Sequence, residues 1–273
     1  MQKYTSNGQP LWLDGGVAVS GENIYIDTAL LVPNSNGGAF VIYHNYDSPN
    51  DIKGQNLDSS GNQLWQAGGI NIFSHTDTVV LFEAIKDNEG GLIINIYQGT
   101  QYVNHLLRVD ANGLVIANPM FISSLFPGGY FHIKGFDTNQ ILLYDLGYFG
   151  ISCTMAKIDY QGNLLTSVVT FPMTPSGQTE DYQLEILADG GLVVAWAKDT
   201  SPKGLYMQKF DTNLAPVWQP DAIQITSSDN PIWNLSLSPA ENNIYISWNE
   251  GYVYDVTQSH FKAQMVNTQR ISA

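Results

Sequence analysis

Cysteine is almost missing from this chain: Cys153 stands alone among 273 residues, so no internal disulfide can form and packing must hold the fold. Charge is scarce as well, 13% of residues against about 25% in an ordinary soluble domain. Solubility then falls to uncharged polar side chains, which crowd stretches such as TSNGQ, DSSGNQ and NTQ. That habit points to an extracellular or cell-surface protein. Cations are the scarcest group, 11 against 25 acids for a net charge of −14, which opposes binding to nucleic-acid phosphates or anionic lipid. No apolar run reaches the roughly 18 residues of a membrane helix, so direct membrane insertion is not expected. The N-terminal MQKYTSNGQP has no apolar signal core. A 3.6-residue amphipathic period is also missing, which excludes a helical domain and leaves an all-β chain.

What the chain does contain is repetition. A polar turn that ends a strand recurs as KYTSNGQPLW at 3–12, NLDSSGNQLW at 56–65, RVDANGLVIA at 108–117, KIDYQGNLLT at 157–166 and KFDTNLAPVW at 209–218. Aligned on Thr5, Asp58, Asp110, Asp159 and Asp211, the copies step by 53, 52, 49 and 52 residues. Gly8, Gly61, Gly113 and Gly162 follow three residues later, where a tight turn requires positive φ. The fifth copy has Leu214 there, and Asn213 is expected to take the left-handed conformation instead. A weaker sixth copy, QMVNTQ at 264–269, puts Asn267 in the same phase.

A hairpin recurs between these turns, as LLVPNSNGGAFVIY at 30–43, AIKDNEGGLIINIY at 84–97, IKGFDTNQILLY at 133–144, LEILADGGLVVAW at 184–196 and LSLSPAENNIYISW at 235–248. Gly37, Gly90, Asn139, Gly190 and Asn242 mark its positive-φ turn. Short β-prone runs, VAVS at 17–20, INIF at 70–73, VVTF at 168–171 and IQIT at 223–226, complete each period.

Four antiparallel strands in about 52 residues match the blade of a β-propeller. The sequence predicts one domain over 1–273, with repeats at approximately 1–51, 52–103, 104–153, 154–204 and 205–259 and a partial one at 260–273. Counted from the hairpins, this is five full blades plus an extra terminal strand pair within residues 1–20. Because the chain starts and stops in nearly the same phase, the terminal pair is expected either to belong to a sixth blade of a larger propeller, the favoured reading, or to pair across the ring seam with the C-terminal strands. Trp12, Trp65, Trp196, Trp218, Trp248, Tyr43, Tyr97 and Tyr144 are expected to pack between blades, each burial contributing about 2–3 kcal/mol. Cys153 reads as a small buried strand residue.

The repeated turn and its apolar hairpin resemble the propeller repeats of secreted and surface proteins of Bacteroidota, many of them delivered by the type IX secretion system. Gln55 to Trp65, Asp87 to Tyr97, Asp189 to Trp196 and Gln208 to Trp218 carry the resemblance best. The third period, with Ala117, Asn139 and Gln140, carries it worst. The resemblance implies a propeller fold and export, and since the sorting domain typical of that route is not among these 273 residues, the chain is expected to be a fragment or a processed domain. A partial likeness to the tryptophan-docking blades of quinone dehydrogenases rests on Gly61 and Trp65. There Asp58 lies one residue too close, and the vicinal cysteine pair has no counterpart.

Chemistry is thinly signalled. His44, His75, His105, His132 and His260 are dispersed without ligand spacing, no calcium loop, GxSxG or phosphate-cradling loop occurs, and DNEGG at 87–91 is a hairpin turn. No metal or other cofactor is therefore expected. The enzymatic alternative uses Asp27, Asp77 and Asp181, which precede TALLV, TVVLF and YQLEI and could aim acids at a propeller axis. Glycoside hydrolysis needs two carboxylates about 5–10 Å apart, and five-bladed arabinanase-like enzymes place theirs in this way. The same residues also read as ordinary turn residues. The expected function is thus a non-enzymatic extracellular binding or display module holding a protein or glycan partner on its loops. A glycosidase and a structural segment of a surface adhesin are the alternatives.

Overall fold

The computed structural model describes residues 1–21, 26–45, 51–74, 79–98, 103–117, 125–126, 131–137, 139–146, 152–173, 179–198, 203–218, 222–252 and 259–269. Among these, nineteen strands and no α-helix are found. Accordingly, no helix is long and apolar enough to cross a membrane.

The first sheet runs in the order β1 (Ile26–Pro33), β2 (Ala39–Asn45), β3 (Asp51–Leu57) and β4 (Ile70–Phe73). The second holds β5 (Val79–Lys86), β6 (Leu92–Gln98), β7 (Val103–Val109) and β8 (Val115–Ala117). β9 (His132–Asp137), β10 (Gln140–Asp145), β11 (Ser152–Asp159) and β12 (Val169–Pro172) make the third. The fourth comprises β13 (Thr179–Ile186), β14 (Leu192–Lys198), β15 (Lys203–Phe210) and β16 (Ile223–Ser228). The last contains three strands, β17 (Ile232–Ala240), β18 (Asn243–Glu250) and β19 (His260–Asn267). The pairings are antiparallel between chain neighbours, as tight hairpins dictate.

The recurring turn has one mechanism throughout. The Asp58 carboxylate accepts the amides of Ser60 and Asn62 at 2.8 and 2.9 Å. Asp110, Asp159 and Asp211 each hold the amides two and four residues on in the same way. Those bonds curl the chain until Gly61, Gly113 and Gly162 reach φ of 86–88°. In the fifth copy Leu214 itself takes φ 66°, in place of the expected Asn213, because its side chain is fully buried and the position must be both left-handed and apolar. In the last hairpin Glu241, at φ 48°, takes the left-handed turn position expected at Asn242, while the turn expected at Asn139 adjoins residue 138, which lies outside the described residues. VAVS at 17–20 forms no strand; residues 1–20 carry a Tyr4–Pro10 bridge and a Met1–Val17 pair of bonds, and are tied to the first sheet by Trp12 on the Ser59 carbonyl and Gln63 on the Ala18 carbonyl.

Packing divides the chain into two compact units, Met1–Ile141 with Ile158–Asn163, and Leu142–Lys157 with Leu164–Ala273. In the first unit Phe40, Ile42, Ile52 and Trp65 pack on Leu92, Ile94, Ile96 and Val109 of the next sheet. Trp12 closes a smaller cluster with Val41, Tyr43 and Leu57. In the second unit Val193, Ala195, Met207 and Trp218 face Leu235, Ile244, Ile246 and Trp248. A strand lying between two neighbouring sheets must be apolar on both faces. β14, LVVAWAK, is accordingly buried at every residue. Of the eight aromatics expected in the seams, Tyr97 and Tyr144 are only half-buried and the other six are buried. Cys153 is fully buried, and desolvation pushes its thiol far above the ordinary range.

Candidate functional site

β13 enters its sheet through a bulge between Thr179 and Asp181, and β17 has another between Trp233 and Ser236, with Asn234 at φ 57°. A bulge takes amides out of the strand ladder, and each needs another acceptor. The Asp181 carboxylate supplies it: one oxygen accepts the Leu235 amide and the other the Tyr182 amide, both at 2.7 Å. The acid thereby joins the first strands of consecutive sheets. Of the three expected catalytic acids, Asp27 lies at a bulge in β1, between Ile26 and Thr28, with its side chain outside the described residues. Asp77 lies outside them altogether. No pairing of these acids is on view.

Glu83 does comparable work in the first unit. One of its carboxylate oxygens accepts the Ile133 amide at 3.0 Å, and the other lies 2.6 Å from His132 Nδ1. Beside it, Asn95 and Asn104 both donate to the Phe131 carbonyl, at 2.7 and 3.2 Å, and Asn104 also donates to Asn95 at 2.7 Å. The segment 131–133 is thus fixed by a satisfied polar network. Sequence reasoning missed Glu83; its only signal was a single acid inside the apolar run VVLFEAI. Among the described residues, no group of three or more His, Cys, Asp and Glu is placed to hold a metal ion.

The first unit also has an open cleft of about 270 Å³, lined by Ile85, Lys86, Asn88, Gly135, Phe136, Asp137 and Tyr160. Asn88, at φ 52°, donates to the Tyr160 hydroxyl at 3.0 Å. The Arg108 guanidinium sits 5.9 Å from the Tyr160 ring centre and bonds Asp87 at 2.8 Å and also Glu89. Burial raises the Tyr160 hydroxyl above its ordinary pKa, which keeps it a neutral donor. At Gly135 the floor is open: a Cβ there would meet only Ile85 Cδ1, at 4.0 Å. The volume lies just under the roughly 300 Å³ at which small-molecule sites begin. Two aromatic rings with a cation, an acid and an amide can receive one sugar ring or one amino-acid side chain, and nothing here assembles a nucleophile with a base.

No family model matches the chain, and no curated protein matches its sequence. Solved structures do resemble its fold. The β-propeller domain of the trilobed protease from Pyrococcus furiosus, described as having an open velcro topology, superposes with a TM-score of 0.53 at 9% identity over 92% of this chain and 71% of that one. The fold is a β-propeller. A protein of unknown function from Dyadobacter fermentans gives 0.51 at 10% identity, over 93% and 82% of the two chains. An endo-arabinase from Bacteroides thetaiotaomicron reaches 0.46 at 10% identity, over 94% and 99%, a likeness too loose to bear on activity. Among eight such structures, the chain spans from 35% to 99% of their length.

Proposed function

We propose that the propeller is a non-enzymatic binding or display module of an extracellular or cell-surface protein, offering a protein or glycan partner a site on its exposed loops. One observation carries this reading: on the first strands of their sheets, Asp181 and Glu83 have both carboxylate oxygens engaged, by backbone amides and a histidine. Carboxylates that tie backbone segments together act as structural links, and their bonds hold them in place between strands. The cleft at Phe136 and Tyr160 has the aromatic and polar mixture of a recognition site. Low charge density and polar loops, together with the repeat's resemblance to exported Bacteroidota propellers, support the location.

The test is a glycan array and a surface-fraction pull-down, run with the wild type and with Lys86→Ala and Phe136→Ala. Retention of a ligand by the wild type and its loss in either variant is the expected result. Release of reducing sugar from any bound glycan would overturn the reading, and so would equal retention by all three proteins.

A further inference from the structure

The cleft of the first unit lies where the third repeat leaves the pattern of the others. Tyr160 follows Asp159 by one residue, a place that Ser6, Ser59, Ala111, Thr212 and Thr268 fill in the other copies. Phe136 stands three residues before Asn139, where the other hairpins have Asn34, Asp87, Leu187 and Pro239. Two of these counterparts hold turn amides: Asn34 accepts from Asn36 and Gly38, and Asp87 from Glu89 and Gly91. Gly135 is bare where Pro33, Lys86, Ile186 and Ser238 carry side chains. Aromatics in step with the repeat belong to blade packing. A pair out of step with it that lines a cleft is not demanded by that packing and marks a local purpose.

Two donors of the cleft lack an acceptor. The Tyr160 oxygen accepts from Asn88 at 3.0 Å, and its own proton goes to no acceptor among the described residues. Burial raises the pKa of that hydroxyl, so the proton stays in place. The ammoniums of Lys3, Lys157, Lys209 and Lys262 each donate to a carbonyl or carboxylate. That of Lys86 has no such partner among the described residues. The acids nearby do not claim it. Arg108 bonds Asp87 at 2.8 Å and also Glu89, and Asp137 is exposed, where solvent screens its charge. Two donors, one of them cationic, suit a carboxylate. The half-buried Phe136 ring beside the open floor at Gly135 suits a flat apolar face. An aspartate or glutamate side chain brings the carboxylate without the face. A neutral sugar brings the face without the charge.

We propose that the cleft takes a hexuronate, an acidic sugar ring whose C–H face lies on Phe136 and whose carboxylate is held by Lys86 and the Tyr160 hydroxyl. The inference rests on the cleft being a recognition site, as proposed above, and names the class of its ligand. Asp137, at the same cleft, is placed to accept a ring hydroxyl. A net charge of −14 opposes a chain of closely spaced acids, so the uronate belongs to a glycan whose other sugars are neutral. The cleft residues all fall within the first unit, so the site is complete there.

The probes are methyl glucuronide and methyl galacturonide, each beside the neutral methyl glycoside that differs from it only at C6, titrated into the intact chain and followed by ligand-detected NMR. At least one uronide should bind about tenfold more tightly than its neutral partner. Lys86→Met, which keeps the stem and removes the charge, should abolish that advantage and leave the neutral glycoside unaffected. Tyr160→Phe should reduce the advantage, and Phe136→Ala should weaken both sugars alike. Equal binding of uronide and neutral glycoside, or an advantage that survives Lys86→Met, would overturn the acidic sugar and leave recognition at the cleft standing. So would binding of N-acetylglutamate amide as tight as that of either uronide, which would place a peptide there. Failure of both uronides to bind would overturn the inference as well, while the glycan array and pull-down with Phe136→Ala decide separately whether the cleft binds anything.

Discussion

The Trp65 indole lies flat enough on Gly113 that a Cβ on the glycine would sit 3.1 Å from the ring, while its Nε1 donates to the Ala111 carbonyl at 3.0 Å. Trp12 meets Gly61 and the Ser59 carbonyl in the same way. Both carbonyls follow the turn aspartate by one residue, as does that of Thr212, which accepts Lys157, and the carbonyl of Thr268, one residue after Asn267 in the same phase, accepts Lys209. One turn thus serves twice, ending its own third strand and receiving a donor from the preceding copy. Gly8 offers a control, since it has φ 77° and nothing within 4 Å of its missing Cβ. Gly113→Ala should destabilise by about 2–4 kcal/mol and Gly8→Ala by about 1–2 kcal/mol, because only the first adds overpacking to backbone strain. Denaturant melts compare them. Equal losses would mean that the tryptophan does not rest on the turn.

Lys209 joins two copies by a different chemistry. Its ammonium bonds the Asp189 carboxylate at 2.6 Å and the Thr268 carbonyl at 3.3 Å, with the lysine side chain only 10% exposed and the aspartate 49%. Solvent screening at the aspartate limits the pair's strength. Asp189→Ala should still cost about 1–2 kcal/mol, since it leaves a buried cation with one neutral acceptor. Lys209→Met should cost less than that, because it removes the charge and keeps the stem's packing. Urea unfolding of both variants checks the order, and a costlier Lys209→Met would reverse the assignment.

Acid should unfold the propeller through its turns. Asp58 is held below the usual carboxylate range by the Asn62 side chain and by backbone amides. At Asp159, burial pushes the other way and is outweighed by bonds from Asn163, Gln161 and Gly162. The Lys209 ammonium, foremost, lowers Asp189. Folded values below unfolded ones mean that this stability is complete above the ordinary carboxylate pKa near 4 and is lost as pH falls through the depressed values. The melting temperature should therefore hold to about pH 5 and drop steeply below about pH 4. The double variant Asp58→Asn, Asp159→Asn should be less stable at pH 7 and show a shallower acid slope. Parallel pH curves for the two proteins would contradict this.

Much of the fold was legible because its signals are local. Asp58 and Gly61, or Asp189 and Gly190, determine their turns within a few residues, and the alternation beside them determines the strands. Leu214 misled because a buried side chain outweighed a backbone preference that short-range reading assigned to Asn213. Val17–Ser20 misled because a β-prone run without a long partner strand makes no ladder. The candidate site was less legible, since its parts come from different repeats. The cleft takes Lys86, Phe136 and Tyr160 from three of them. Asp181 was visible as an acid before a strand, yet its partner, the Leu235 amide, is freed only by a bulge 54 residues away.

The most direct test of the account asks whether the inner-strand acids support the fold or perform chemistry. Asp181→Asn can place an amide donor against the Leu235 amide, and Glu83→Gln removes the charge beside His132. Each should lower stability by about 1–3 kcal/mol, read by thermal melts beside reducing-sugar assays of wild type and variants on a panel of polysaccharides. Lower melting temperatures with no sugar released by any of the three proteins is the predicted result. Sugar release by the wild type, abolished in either variant at an unchanged melting temperature, would contradict it.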